Sequence, residues 1–331
     1  MTAAQLIARR RPLDAVAPWA RRNAWTLGLV AFLALLLVYT KLIQASYDSF
    51  AVQYLAIGVL PLALAAVAQA VVVMCGGIDL SIGSMMAVTN VVCAMMMLHH
   101  SEQYGVVVVL VVLLLGLVLG AINGALVVLT RVPDIVVTLA MSFVWAGCAL
   151  LVTAAPGGSA SEWLTNLVLG SVVSVWIPQS AVVLAIVVAV VWIPLSRSRL
   201  GLSIYAVGSN RLAAFRSGVP VGRTKFAAYA LTGLFSAFAG LALTASTGIG
   251  TPVPGPYTLM SVAAVVLGGV SLAGGRGGLL GPIIAVVVLQ LIRTDMTFLN
   301  IDTNYAYIAQ GLILVGVVMF GSLVQMRRSR A

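Results

Sequence analysis

Few side chains in this sequence of 331 residues could do chemistry. The first candidates are Asp79 and Ser81, in Gly76-Gly77-Ile78-Asp79-Leu80-Ser81-Ile82-Gly83-Ser84, between apolar runs at 51–75 and 85–98. A carboxylate and a hydroxyl at this spacing can cap the next helix by accepting bonds from its free N–H groups. They can equally bond a polar molecule in transit. No base or nucleophile joins them. His99 and His100 close the following apolar run and read as surface residues rather than metal ligands, and Asp134 falls with Asp79 at inward ends. An enzyme needs its reactive groups clustered at one depth, so a membrane-embedded enzyme is disfavoured. Cys75, Cys93 and Cys148 make no CxxC pair and read as buried small hydrophobes. There is no P-loop to hold ATP. No cofactor or metal is expected.

The elements that must position these residues are membrane helices. The chain is 62% hydrophobic and 8% charged, against about 25% charged in soluble domains. Apolar runs approach or exceed the ~20 residues that cross a bilayer, without the alternation of a transmembrane barrel. The reading is all-α and polytopic, with ten spans near 25–43, 51–75, 82–98, 106–129, 135–154, 179–195, 226–246, 258–273, 279–293 and 304–324. A basic segment over 1–24 precedes them, and its following apolar run is long enough to stay as a span rather than a cleaved signal. One transmembrane domain covers 25–325, and 326–331 form a basic tail. Ten spans place 16 of the 18 Lys and Arg residues on one side, leaving Lys41 and Arg293 on the other. By the positive-inside rule both termini are cytoplasmic. The net charge of +10 sits at span ends and does not call for nucleic acid.

Irregular backbone inside a bilayer survives only where protein or a water-filled cavity surrounds it. Gly76-Gly77 is therefore either a plain inward turn or a break that lines a pathway. A second stretch favours the break. Gly268-Gly269-Val270-Ser271-Leu272 repeats the Gly-Gly-x-x-Leu pattern and leads into Gly274-Gly275-Arg276-Gly277-Gly278. Both breaks follow spans running inward, so any internal repeat is weak and parallel. Paired, Gly-interrupted spans point to a translocation site. Gly116, Gly120 and Gly124 let helices approach closely, and Asn123 beside them serves either packing or a pathway. Thr138, Ser142 and Trp145 join Asn123 as pathway candidates from their faces and polarity.

No Lys, Arg, Glu or His is placed mid-span, which argues against the alternative of an ion-coupled secondary carrier. Two connections are long. The outward one, 155–178, reads as a lid, a docking surface or a linker. The inward one, 196–225, contains a short helix that starts at the N-cap Asn210, spans 211–217 and ends at Gly218, with Pro220 preventing continuation. Leu212 and Phe215 share one face, flanked by Arg211 and Arg216. This knob fits a groove on a partner or lies on the membrane surface.

These stretches together resemble bacterial ATP-binding-cassette permeases for ribose, xylose, galactose and related simple sugars, over residues from about 50 to 325. The first glycine break carries the family signature. Asn123-Gly124 with Arg131-Val132-Pro133 and Thr138-Leu139 resembles a second stretch. Tyr205 to Asn210, then Ala213-Ala214 and Ser217-Gly218, resembles the loop that couples to the ATPase. Leu267-Gly268-Gly269 with Gly274-Gly275-Arg276-Gly277 resembles a fourth. The chain departs from the family at Ile135 (often Phe), Thr258-Leu259 (often Glu-Leu) and Gln310 (often Lys), which bears on the substrate more than on the family. The resemblance implies a bacterial inner-membrane permease in membrane lipid, working as a homodimer or with a paralogue. It would do no covalent chemistry. A periplasmic sugar-binding protein would dock outside. A cytosolic ATPase would dock inside on Gly208, Asn210, Leu212, Ala213, Ala214, Phe215, Ser217 and Gly218. Gly76, Gly77, Asp79, Ser81, Gly83, Gly268, Gly269, Gly274, Gly275 and Arg276 would form the helix breaks.

Overall fold

The computed structural model describes residues 24–99 and 102–302, together with seven helical positions between 305 and 319. The N-terminal segment, most of the tenth span, Gln310 and the basic tail lie outside the described residues, and with them both termini.

Among the described residues, eight helices are long and apolar enough to cross a membrane. They are α1 (Ala24–Ile43), α2 (Ser49–Met74), α3 (Ile82–His99), α4 (Gly105–Thr130), α5 (Asp134–Val152), α7 (Gln179–Arg197), α10 (Val221–Thr247) and α12 (Leu280–Phe298). Between them lie the short α6 (Glu162–Asn166), α8 (Arg199–Ser209), α9 (Arg211–Arg216) and α11 (Tyr257–Leu267). The expected eighth span, 258–273, is thus a helix of 11 residues. It stops at Leu267 because Gly269 takes a left-handed φ of 79°.

The helices α2, α3 and α10 carry the buried centre, while α1, α5 and α7 keep large apolar side chains exposed. A helix apolar all round, buried on one side and bare on the other, is what lipid as solvent requires. The closest helix pair is α4 on α10. A Cβ on Gly120 would meet the Tyr229 carbonyl and stand 2.8 Å from Gly233 Cα, and one on Gly124 would stand 2.9 Å from the Phe226 carbonyl. The small-residue stripe read from the sequence is a close helix crossing.

The inward connection holds more helix than expected. Besides α9, residues 199–209 form α8, whose N-cap Ser198 accepts from Gly201 N at 3.2 Å. Ile204 and Val207 bury one face of α8. The outward connection is fastened at its start. Gly157 and Gly250 exchange backbone bonds of 2.9 and 2.8 Å, Ser159 N reaches Ala94 O, and Ala160 N reaches Gly248 O. Below this strap Asn90 ties α3 to α10, donating to Thr244 Oγ1 at 2.8 Å and accepting from Thr251 N at 2.6 Å.

Candidate functional site

Both glycine breaks end their helices with the same cap. After α2, Gly76 (φ 80°) bonds Val73 O and Gly77 N bonds Val72 O; after α11, Gly269 bonds Val266 O and Val270 N bonds Val265 O. This is the Schellman arrangement, with a left-handed glycine one residue past the cap. Gly76 therefore corresponds to Gly269, one residue later than the sequence pattern aligns them. Such caps are common, so this is a local likeness.

The first break runs into α3 through a chain of buried polar groups. Asp79 Oδ1 accepts from Ser81 N at 2.8 Å and from Ser81 Oγ at 2.6 Å. Asn123 Nδ2 on α4 donates to Ser81 Oγ at 2.7 Å, and Trp145 Nε1 on α5 donates to Asn123 Oδ1 at 3.1 Å. Thr138 Oγ1 accepts from Leu80 N at 3.1 Å and donates to Asp134 O at 2.9 Å. Asp79, Ser81, Asn123 and Thr138 are fully buried. An unpaired polar group at such depth costs a few kcal/mol, which is why these residues interlock. Asp79 Oδ2 is the member left without a hydrogen-bond partner among the described residues. Ser142, also picked from the sequence, stays out of the chain and bonds its own helix at Leu139 O.

The first-turn N–H of Gly83 is taken from across the molecule. Thr258 Oγ1, at the start of α11, accepts it at 2.9 Å. A residue of the second break's helix thereby caps the helix after the first break, and it stands where the family often has Glu. Sequence reading had no signal for this pairing. It also passed over Gln69, a lone amide in the buried part of α2 with neither polar atom partnered among the described residues.

Beneath Gly77 lies an ion pair. Lys225 Nζ on α10 reaches Asp134 Oδ2 on α5 at 2.8 Å and Oδ1 at 3.0 Å, both side chains being mostly buried. A Cβ on Gly77 would stand 2.7 Å from Asp134 Oδ2 and 2.8 Å from Tyr229 OH. Removing one partner of a pair this sheltered leaves a charge without compensation. Lys225→Met is expected to lower unfolding stability by about 1–3 kcal/mol. Adding Asp134→Asn to it should recover part of the loss, which thermal melting of the purified variants checks.

The inward helices meet both breaks at one point. A Cβ on Gly208, in the last turn of α8, would run into Met74 O and stand 2.5 Å from Gly275 N. A Cβ on Gly274 would stand 2.8 Å from Gly208 O and 2.9 Å from Gly76 Cα. Gly275 N donates to Met74 O at 3.0 Å, and Ser209 Oγ donates to Gly275 O at 3.4 Å. Three backbones pass here with no side chain between them, which only glycine allows. Gly274 and Gly275 also need their left-handed φ of 84° and 69°. Tyr205, on α8, donates to Gly277 O at 3.1 Å. Burial raises its hydroxyl above the usual tyrosine range, so it keeps the proton it donates.

The knob follows directly. Asn210 caps α9 by accepting from Ala213 N at 2.9 Å, and Gly218 (φ 81°) closes it with the same Schellman bonds. Ala214 is buried, while Leu212 and Phe215 are 59% and 69% exposed. Leu212 and Phe215 thus form an exposed apolar pair between Arg211 and Arg216 in sequence.

Comparison with known proteins agrees with this geometry. Residues 51–318 match the family described as branched-chain amino acid transport system / permease component. The ribose import permease RbsC of Escherichia coli K12 is 31% identical over 266 residues, covering 78% of this chain and 81% of that protein. RbsC of Haemophilus influenzae is 33% identical over 267 residues, covering 78% and 80%. The autoinducer 2 import permease LsrD of Escherichia coli O9:H4 is 28% identical over 321 residues, covering 93% and 95%. No solved structure matches the chain. With its multi-pass helical fold, its paired glycine breaks and these matches, the chain belongs to this family of ATP-binding-cassette import permeases of the bacterial inner membrane.

Proposed function

We propose that the chain forms the membrane pathway for a simple sugar or sugar-like polyol, handed over by a periplasmic binding protein and driven by a separate cytosolic ATPase. The substrate class follows the names of the relatives, which import ribose, allose and autoinducer 2. The permease works beside a second copy or a paralogue. It makes and breaks no covalent bond, and its work is to expose a path to one side and then the other.

The observation that carries this reading is the meeting of Gly208 with both breaks. α9 sits in a groove of the ATPase through Leu212 and Phe215, and α8 joins α9 to that meeting point. A shift of α9 reaches Met74, Gly76, Gly274 and Gly275 through backbone contact, without the slack of long side chains. Packed elements of this kind switch between discrete arrangements rather than bend continuously. The breaks are the pivots, and Asp79 fixes the first of them. Asn123, Thr138, Trp145 and Gln69, all buried in this state, are the polar groups that would meet sugar hydroxyls once a path opens beside them. The strap at 157–160 acts as the outer lid.

Phe215→Asp tests the docking half directly. The change lies on an exposed side chain, so the permease should still insert and melt normally. Co-purification with the cytosolic ATPase should fall at least tenfold, because a buried interface anchor contributes roughly 2 kcal/mol or more. Undiminished co-purification would remove α9 from the ATPase contact.

A further inference from the structure

A crevice of about 1250 Å³ lies among α1, α2, α7 and α12. Its lining runs from Pro178 to Arg197, the whole of α7. At 1.5 Å per residue the 19 residues of α7 rise about 28 Å, close to the ~30 Å of a bilayer's apolar core. The walls are apolar, with side chains such as Leu55 and Leu184. The inward mouth differs. There Arg197 is exposed, and Trp25 and Trp192 are also among the lining residues. In sequence, Arg21 and Arg22 come shortly before Trp25, with Asn23 and Ala24 between. The inward floor is the second break itself, at Gly268, Gly269 and Gly277 to Leu280.

We propose that the inward half of this crevice binds an anionic glycerophospholipid, with its phosphate at Arg197 and its acyl chains along α7 against the second break. Two observations favour this occupant. The one charged side chain of the described lining is a cation, and it sits at the inward mouth, where basic pockets between helices take anionic headgroups. Trp25 and Trp192 also line the crevice, and indoles favour the headgroup boundary of a bilayer. The lipid has a lever on the mechanism as well. Trp25 donates from Nε1 to Leu267 O at 2.8 Å and packs on Gly269, so filling the crevice beside it holds the second break in one shape. The binding claim is independent of the coupling reading above.

The test uses the full-length permease in complex with its ATPase, in mild detergent. Dioleoyl phosphatidylglycerol or phosphatidylcholine is added at equal concentration, and bound lipid is counted by native mass spectrometry. The wild type should retain phosphatidylglycerol in preference to phosphatidylcholine. Arg197→Gln, on an exposed side chain, should weaken that retention about five-fold. Ala185→Phe, which fills the slot midway, should weaken it at least as much. Equal retention of the two lipids, or a preference untouched by Arg197→Gln, would overturn the proposal. So would an efficient disulfide between two copies carrying Leu184→Cys, because a second chain would then occupy the crevice.

Discussion

Gly208→Val is expected to reduce uptake at least tenfold while leaving the permease in the membrane. The new side chain has no free direction, since Met74 O, Gly275 N and the Gly274 backbone surround the position. Overpacking a tight site costs about 1–3 kcal/mol when neighbouring side chains can give way. Here the neighbours are backbone, so the effect should sit at the top of that range or above it. α8 must withdraw from one break or both, and motion of α9 then no longer reaches them. Gly28→Ala is the matching control, because nothing lies within 4 Å of its added Cβ. It should leave uptake unchanged and stabilise α1 by up to ~1 kcal/mol. Initial uptake rates per permease molecule, with melting temperatures of both variants, check the pair. A Gly208→Val permease that imports at the wild-type rate would dissolve the junction's role.

The second large effect is expected at Asp79, where two substitutions part company. Asp79→Ala strips the acceptor from Ser81 N and from Ser81 Oγ, both fully buried. Leaving such donors unmet costs about 1–3 kcal/mol each. Asn123 then loses a fixed partner, and with it the link to Trp145. Asp79→Asn keeps an acceptor oxygen at Oδ1, gives up the charge and puts an amide NH2 where Oδ2 has no partner among the described residues. The Ala variant should therefore melt well below wild type and import poorly, with the Asn variant much closer to normal in stability. If Asp79→Asn matches wild-type stability yet loses import, the carboxylate acts on the passing sugar rather than on the turn. An Asp79→Ala protein that melts and imports normally would remove both roles.

Local features of this fold were legible in the sequence, because each has a local cause. The cap and stop of α9 are written in Asn210, Gly218 and Pro220, and the structure places them there. The close crossing of α4 is written in Gly116, Gly120 and Gly124. Long apolar runs announced the spanning helices. What escaped were features made by pairing across the bundle. Nothing in one sequence ties Lys225 to Asp134, or Thr258 to Gly83, because such partners are chosen by how helices rotate and stack. α8 was missed because it is short and carries glycines at Gly201 and Gly208. Its signal was Ser198, a good N-cap followed by an apolar face at Ile204 and Val207. The meeting of Gly208 with both breaks was hidden for the same reason as the ion pair. Each glycine run was visible alone, but their shared position was not. The Gly-Gly-x-x-Leu pattern aligns Gly76 with Gly268. The backbone instead pairs the left-handed residues Gly76 and Gly269.

The most direct test of ATP-driven import is uptake of labelled sugar in cells with and without this gene, under two separate treatments. One collapses the proton gradient with a protonophore while ATP is maintained. The other depletes ATP while the gradient is held. Gene-dependent uptake should survive the first and disappear under the second, because in the proposed mechanism the driving force enters through α9 from the ATPase. Uptake that collapses with the gradient while ATP remains would mean an ion-coupled carrier, and the coupling path through α9, α8 and Gly208 would be wrong.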